Sequence, residues 1–199
     1  MSLEERLREI VDISYKLVCQ KIVCGSITIP NEASFQMHLG TILLTIGKLY
    51  EFHPTDLFKI SFERNFDEVN TTKSNGKARC DILLNLTDGK EKVAAAIELK
   101  YLPKSKDEAV SDCRFSILQD IENLEHYKIE DCTILYGYAI VYTTNANYAA
   151  PTSRSGIKVG DGLHVSGCNS GKYAISLGAT YTFHWDEYDG PNHFLKVEV

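Results

Sequence analysis

Three residues of this chain could do chemistry together: Asp81, Glu98 and Lys100. Ile82 to Leu86 is a short, nearly continuous apolar run that suits a buried strand, and Val93 to Leu99 is a second. Thr87-Asp88-Gly89-Lys90 between them has the composition of a hairpin turn. Antiparallel pairing of the two runs brings Asp81, opening the first strand, to the same end of the sheet as Glu98, closing the second. Side chains alternate along a strand, so Glu98 and Lys100 share one face and Leu99 points to the other. Charges beside a sheet core cost free energy unless they are paired or hold a cation. Two converging carboxylates with room for water are the oxygen donors Mg²⁺ favours, and a neighbouring lysine can orient or activate an attacking water. The alternative is a surface hairpin ending in a solvated Glu–Lys pair. Against it stands the Ala-Ala-Ala-Ile run before Glu98, since an exposed hairpin would alternate with polar residues.

Positioning such a cluster requires a particular set of elements. Apolar residues at helical spacing predict an amphipathic helix over 2–20, followed by a short extended piece over 24–29. Asn31 is a suitable N-cap for a second helix running to about Tyr50, with Phe35, Leu39, Leu43 and Ile46 in its buried stripe. Glu32 suits the first turn of that helix as a dipole partner. It also lies with Gln36 on the inward side, so either could reach the hairpin end. Phe58, Ile60 and Phe62 alternate with polar residues, which predicts a strand over 57–66. The polar stretch 67–77 follows and delivers Lys73, Lys77 and Arg79 beside the proposed site. After Lys100 comes a basic link containing Pro103 and Lys104, then a helix over about 107–127 and a strand over 133–142. Arg114 and Gln119 on that helix could approach the site. Residues 143–172 are rich in Thr, Asn, Ser and Gly and read as a long loop carrying Arg154, Lys158, His164 and Lys172. Strands are expected over 173–183 and 194–199, with His184 to Glu187 as a turn anchored by Trp185.

Asp81, the hydrophobic hairpin, and then Glu98-x-Lys100, set in a helix–strand–hairpin–helix–strand series, resemble the PD-(D/E)xK nuclease superfamily. The resemblance covers roughly residues 30–142, with Cys80 standing where the motif has Pro. It implies an α/β (α+β) restriction-endonuclease-like core: a mixed β-sheet flanked by helices in αβββαβ order, with extra C-terminal strands, forming one domain over 1–199. It also implies Mg²⁺-dependent hydrolysis of DNA phosphodiester bonds, with Mn²⁺ able to substitute, leaving 5′-phosphate and 3′-hydroxyl ends. By that resemblance Asp81 and Glu98 hold the metal, with the Leu99 carbonyl and Glu32 as further ligands, and Lys100 orients or activates the water. Lys73, Lys77, Arg79, Lys104, Arg154 and Lys158 are the candidate DNA contacts. A restriction-type endonuclease working as a homodimer is the expected subtype. The alternatives are a structure-selective nuclease resembling a Holliday-junction resolvase, or a non-catalytic nucleic-acid-binding module of the same fold.

Composition sets bounds on this reading. With 199 residues, 44% hydrophobic and 24% charged, the chain can bury a substantial core. A net charge of −6 does not suit a non-specific nucleic-acid coater, so DNA contact requires a locally basic groove. No membrane span, signal peptide or nucleotide-binding P-loop is legible, which gives a cytoplasmic expectation without a nucleotide cofactor. The six cysteines lack zinc-finger spacing and read as reduced thiols.

Overall fold

The computed structural model describes residues 1–66, 78–102, 110–151, 157–188 and 190–199. Helix α1 (Leu3–Val23) starts at Ser2, whose hydroxyl accepts from the Glu5 N–H while the Glu5 carboxylate accepts from the Ser2 N–H, a capping box. Helix α2 (Glu32–Leu49) starts as the sequence predicts, with the Asn31 side chain accepting from the Ser34 N–H. Strand β1 (Leu57–Phe66), the hairpin of β2 (Ala78–Thr87) and β3 (Lys92–Leu102), helix α3 (Val110–Glu130) and strand β4 (Ile134–Thr143) follow. The series α2 to β4 is therefore helix, three strands, helix, strand.

Strands β7 (Trp185–Glu187) and β8 (His193–Glu198) complete a six-stranded mixed sheet in the order β1-β2-β3-β4-β8-β7. Within it β3 and β4 run parallel and every other pair runs antiparallel. A parallel pair needs a crossover, and α3 supplies it. Strands β5 (His164–Ser170) and β6 (Tyr173–Thr182) form a separate two-stranded sheet.

The central sheet carries a buried cluster on each face. Helices α1 and α2 pack on one side, where Leu7, Phe35, Leu39, Leu43, Phe58, Ile82, Leu84 and Ile97 are sealed from solvent. Helix α3 covers the other, with Ile117, Ile121, Leu124, Ala94 and Ala96. Each of the buried Leu, Ile and Phe side chains contributes about 1.5–3 kcal/mol through burial. Helix α2 lies close against β1, because Gly40 and Gly47 leave space that the rings of Phe62 and Phe58 fill.

Several expectations change in detail. Helix α1 continues to Val23, and α3 to Glu130. Strand β5 occupies the end of the stretch read as loop, and residues 185–187 form an edge strand instead of a turn. The Trp185 anchor holds, since its Nε1–H donates to the Val159 carbonyl at 2.7 Å. Arg6 of α1 is buried and reaches Asp56 at 2.7 Å. Among the described residues no helix is long and apolar enough to cross a membrane.

Candidate functional site

The sheet forks at Asp81. Strand β2 pairs with β3 from Thr87 to Ile82, the latter opposite Ile97, and the pairing stops there. Beyond that point β2 continues against β1 as far as Ala78, while β3 continues against β4 as far as Leu102. Asp81 is thus an interior residue of β2, not its opening residue. Continuing the β2–β3 register would set it opposite Glu98. Its side chain enters the gap between the diverging strands, where Oδ2 accepts from the Leu99 N–H at 2.7 Å. The carboxylate replaces the ladder partner that Leu99 lost when β2 turned away, and a buried backbone donor requires such a partner.

Asp81 faces a second irregularity on β1. Phe62 pairs with Ile82 and Arg64 with Cys80, which sets Glu63 opposite Asp81 in an otherwise continuous register. Glu63 has φ 56°, the left-handed region, at an order of 1–2 kcal/mol for a residue with a Cβ. Both strands change face at this pair. Phe58 and Ile60 pack towards α1 and α2 but Phe66 packs towards α3; Ile82 and Leu84 pack towards the first side, Cys80 and Ala78 towards the second. Strict alternation would keep each set on one face. The inversion carries Phe66 and Ala78 to the α3 side, where Phe66 stacks on Tyr127 with ring centroids 4.3 Å apart.

Beneath the fork lies a polar cluster. Glu98 and Lys100 share a face, as alternation predicts, and it is the α3 face. Glu98 is 2% exposed and accepts from the Tyr127 hydroxyl at 2.7 Å. Lys100 Nζ lies 3.4 Å from Oδ2 of buried Asp120 on α3 and 3.5 Å from Glu32 Oε2 at the start of α2. Glu32 Oε2 also accepts from the Tyr101 N–H at 3.1 Å, so α2 is pinned to the end of β3. Gln36, one turn later, donates to the Asp81 carbonyl at 2.8 Å and to Glu63 Oε1 at 2.9 Å. Both residues of the Glu32/Gln36 alternative therefore meet the fork.

Electrostatics follow from this geometry. Burial pushes the Asp81 carboxyl up to about 6; the Leu99 N–H opposes the rise, and Asp120 and Glu32 add to it. Burial alone would lower the Lys100 ammonium, but Asp120, then Glu32, Asp81 and Glu98 outweigh it and carry its pKa above the ordinary lysine range. The surrounding carboxylates thus favour the charged form of Lys100, which donates hydrogen bonds. Cys80 is buried, and burial and then Glu98 push its thiol well up, so it remains a neutral thiol.

The cluster brings together Glu32, Asp81, Glu98 and Lys100 of the expected site, with the Leu99 backbone between them. Asp120 and Tyr127 join it although neither is expected there. Asp120 interrupts the apolar stripe of Cys113, Ile117, Ile121 and Leu124, and that break in pattern was its one signal. Glu63 carried none, because it reads as an ordinary polar member of an alternating strand. Arg114 goes elsewhere: it is buried and donates to the Asn147 and Ile157 carbonyls. Arg79 is exposed beside the fork and ion-pairs with Glu63. Lys158 is exposed between buried Ile157 and Val159 on the α3 side. Lys73, Lys77, Lys104 and Arg154 lie outside the described residues.

Among the described residues no three His, Cys, Asp or Glu side chains close around a common point as a ready metal cage. Mg²⁺ is commonly held by one or two carboxylates plus water, so the donor chemistry here is compatible with it. Comparisons with protein-family models, curated proteins and solved structures returned no match.

Proposed function

We propose that this chain is a Mg²⁺-dependent endonuclease that hydrolyses DNA phosphodiester bonds at the fork between β2 and β3, with a restriction-endonuclease-like core. One observation carries the reading: a partly buried lysine cation sits among four carboxyl groups, Glu32, Asp81, Glu98 and Asp120, at a break in a sheet. Among the described residues acidic groups outnumber the cation there, and a divalent ion relieves such an excess. The helix–three strands–helix–strand order, with β3 and β4 parallel, supports the fold assignment. Asp81 and Glu98 would hold the ion, with Glu32 and the Leu99 carbonyl as the further candidates. When bound, Mg²⁺ supplies Lewis-acid polarisation of the phosphate and a water of lowered pKa.

The chain's own residues have definite parts. Lys100, favoured in its charged form by the carboxylates around it, would orient or activate a water and stabilise negative charge that develops on the phosphoryl oxygens. Asp120 holds that ammonium from the α3 side, and Tyr127 fixes the Glu98 rotamer. Arg79 stands at the exposed edge, where it would meet a phosphate backbone and add affinity without base reading.

A non-catalytic module of the same fold is the second reading. It draws support from the protein donors that already occupy the carboxylates: Leu99 N–H on Asp81, Tyr127 hydroxyl on Glu98 and Tyr101 N–H on Glu32. Calorimetric titration of Mg²⁺ separates the two. Saturable binding that is lost in both Asp81→Asn and Glu98→Gln supports the metal site. Absence of binding, or binding equal in wild type and both variants, contradicts it. Parallel assays on plasmid and four-way-junction DNA divide restriction-type from resolvase-like activity.

A further inference from the structure

We infer that Glu63 is a positioning residue for Asp81, acting through Gln36. The value of that role to catalysis rests on the nuclease reading above, but the geometry stands without it. Glu63 and Asp81 face each other on β1 and β2 at the point where both strands change side. An inserted residue on one strand would make an ordinary bulge and shift the register. Here the register is the same on both sides of the pair, and the distortion is shared by one residue of each strand. Glu63 adopts the left-handed conformation although it is not glycine, asparagine or aspartate, so its surroundings must impose it.

Those surroundings are specific. Gln36 Nε2 donates at 2.9 Å to Glu63 Oε1 and at 2.8 Å to the Asp81 carbonyl, so a single amide spans the pair from the α2 side. Arg79, two residues before Asp81, ion-pairs with the other carboxylate oxygen of Glu63. The Asp81 backbone is thereby held on one side through Gln36, and its carboxylate on the other by the Leu99 N–H. Loss of the Glu63 acceptor leaves the Gln36 amide free to leave the Asp81 carbonyl. The Asp81 side chain then moves in the gap, and the Leu99 N–H is exposed to water.

The test is amide hydrogen exchange of Leu99, read residue by residue by NMR in the metal-free and DNA-free protein, with the β4 amides as internal reference. Three variants are compared with wild type. Glu63→Gly accepts the left-handed backbone but removes the carboxylate. Gln36→Met removes the bridging amide while keeping a good helix former. Glu63→Gln keeps an acceptor for Gln36 without the charge. The expected result is Leu99 exchange faster by about tenfold or more in Glu63→Gly and Gln36→Met, near wild type in Glu63→Gln, and unchanged exchange in β4. A general loss of stability would instead accelerate β4 and Leu99 together. Wild-type Leu99 exchange in either Glu63→Gly or Gln36→Met overturns the inference, and so does equal acceleration in Leu99 and β4. If Leu99 responds as expected while the protein cleaves no DNA, the positioning role holds and the nuclease reading falls.

Discussion

Lys100 Nζ lies 3.4 Å from Asp120 Oδ2 on α3 and is 18% exposed, while Asp120 is 3% exposed. This contact ties the crossover helix to the strand that carries Glu98. Replacing the lysine removes one partner of a buried carboxylate, which is more costly than losing an exposed pair. Lys100→Met is expected to destabilise the protein by about 2–4 kcal/mol, with the Lys100→Met/Asp120→Asn double variant less affected than additivity requires. Urea denaturation of the single and double variants measures the coupling. Because the lysine is held above its ordinary pKa, its contribution is complete below about pH 10 and is lost only as pH rises through the folded value.

Asp81 behaves oppositely. Its carboxyl rises from 3.8 to about 6 through burial, so the native state binds the proton more tightly than the unfolded chain. Stability therefore falls as pH rises from about 4 to 6 and stays lower above that range. Asp81→Asn keeps an oxygen acceptor for the Leu99 N–H without the charge. It is expected to stabilise the protein by roughly 1–3 kcal/mol at pH 7.5 and by little at pH 4. Denaturant midpoints at the two pH values check this. The same variant is expected to abolish cleavage, a gain of stability at the expense of function.

Tyr127 combines two contacts that a pair of substitutions can separate. Tyr127→Phe retains the stack on Phe66 and removes the hydroxyl that donates to Glu98, at an expected cost of about 1–3 kcal/mol. Tyr127→Ala also empties the ring's place in the core and is expected to cost about 3–5 kcal/mol. Thermal unfolding of the two variants, in that order of severity, is the check.

Gly47 tests whether α2 is held as close to β1 as the site requires. A Cβ at this position would run into the buried ring of Phe58. Gly47→Ala gains helix propensity of about 1 kcal/mol, yet overpacking is expected to outweigh it and leave a net loss of about 1–2 kcal/mol. A stabilised Gly47→Ala protein, measured by chemical denaturation, would show that α2 can move off β1, and with it Glu32 and Gln36.

Much of this arrangement was legible in the chain. The hairpin, its turn and the common face of Glu98 and Lys100 follow from apolar runs and period-two alternation. Glu32 and Gln36 follow from their place on the inner side of a capped helix. Asp81 is legible as a residue at the end of the hairpin pairing, but not as the residue at a fork, because where two strands part is decided by their outer partners. Glu63 was illegible for a similar reason: its left-handed backbone is imposed by Gln36, Arg79 and the opposing strand, and glutamate carries no local preference for it. Asp120 and Tyr127 enter through packing of α3 across the sheet. Strand β5 is not legible because His-Val-Ser-Gly-Cys-Asn-Ser has almost no apolar alternation, and its partner β6 supplies the order.

The central claim, that the fork is a Mg²⁺-dependent phosphodiester hydrolysis site, is tested most directly by cleavage of plasmid and four-way-junction DNA with Mg²⁺ or Mn²⁺. Wild type is compared with Asp81→Asn and Lys100→Met, each first shown to be folded at the assay temperature. The account predicts metal-dependent cleavage by wild type that falls by about 10²-fold or more in both variants, as for loss of a charge-stabilising group. Cleavage undiminished in both variants, or no cleavage by any of the three proteins with either metal, would contradict it.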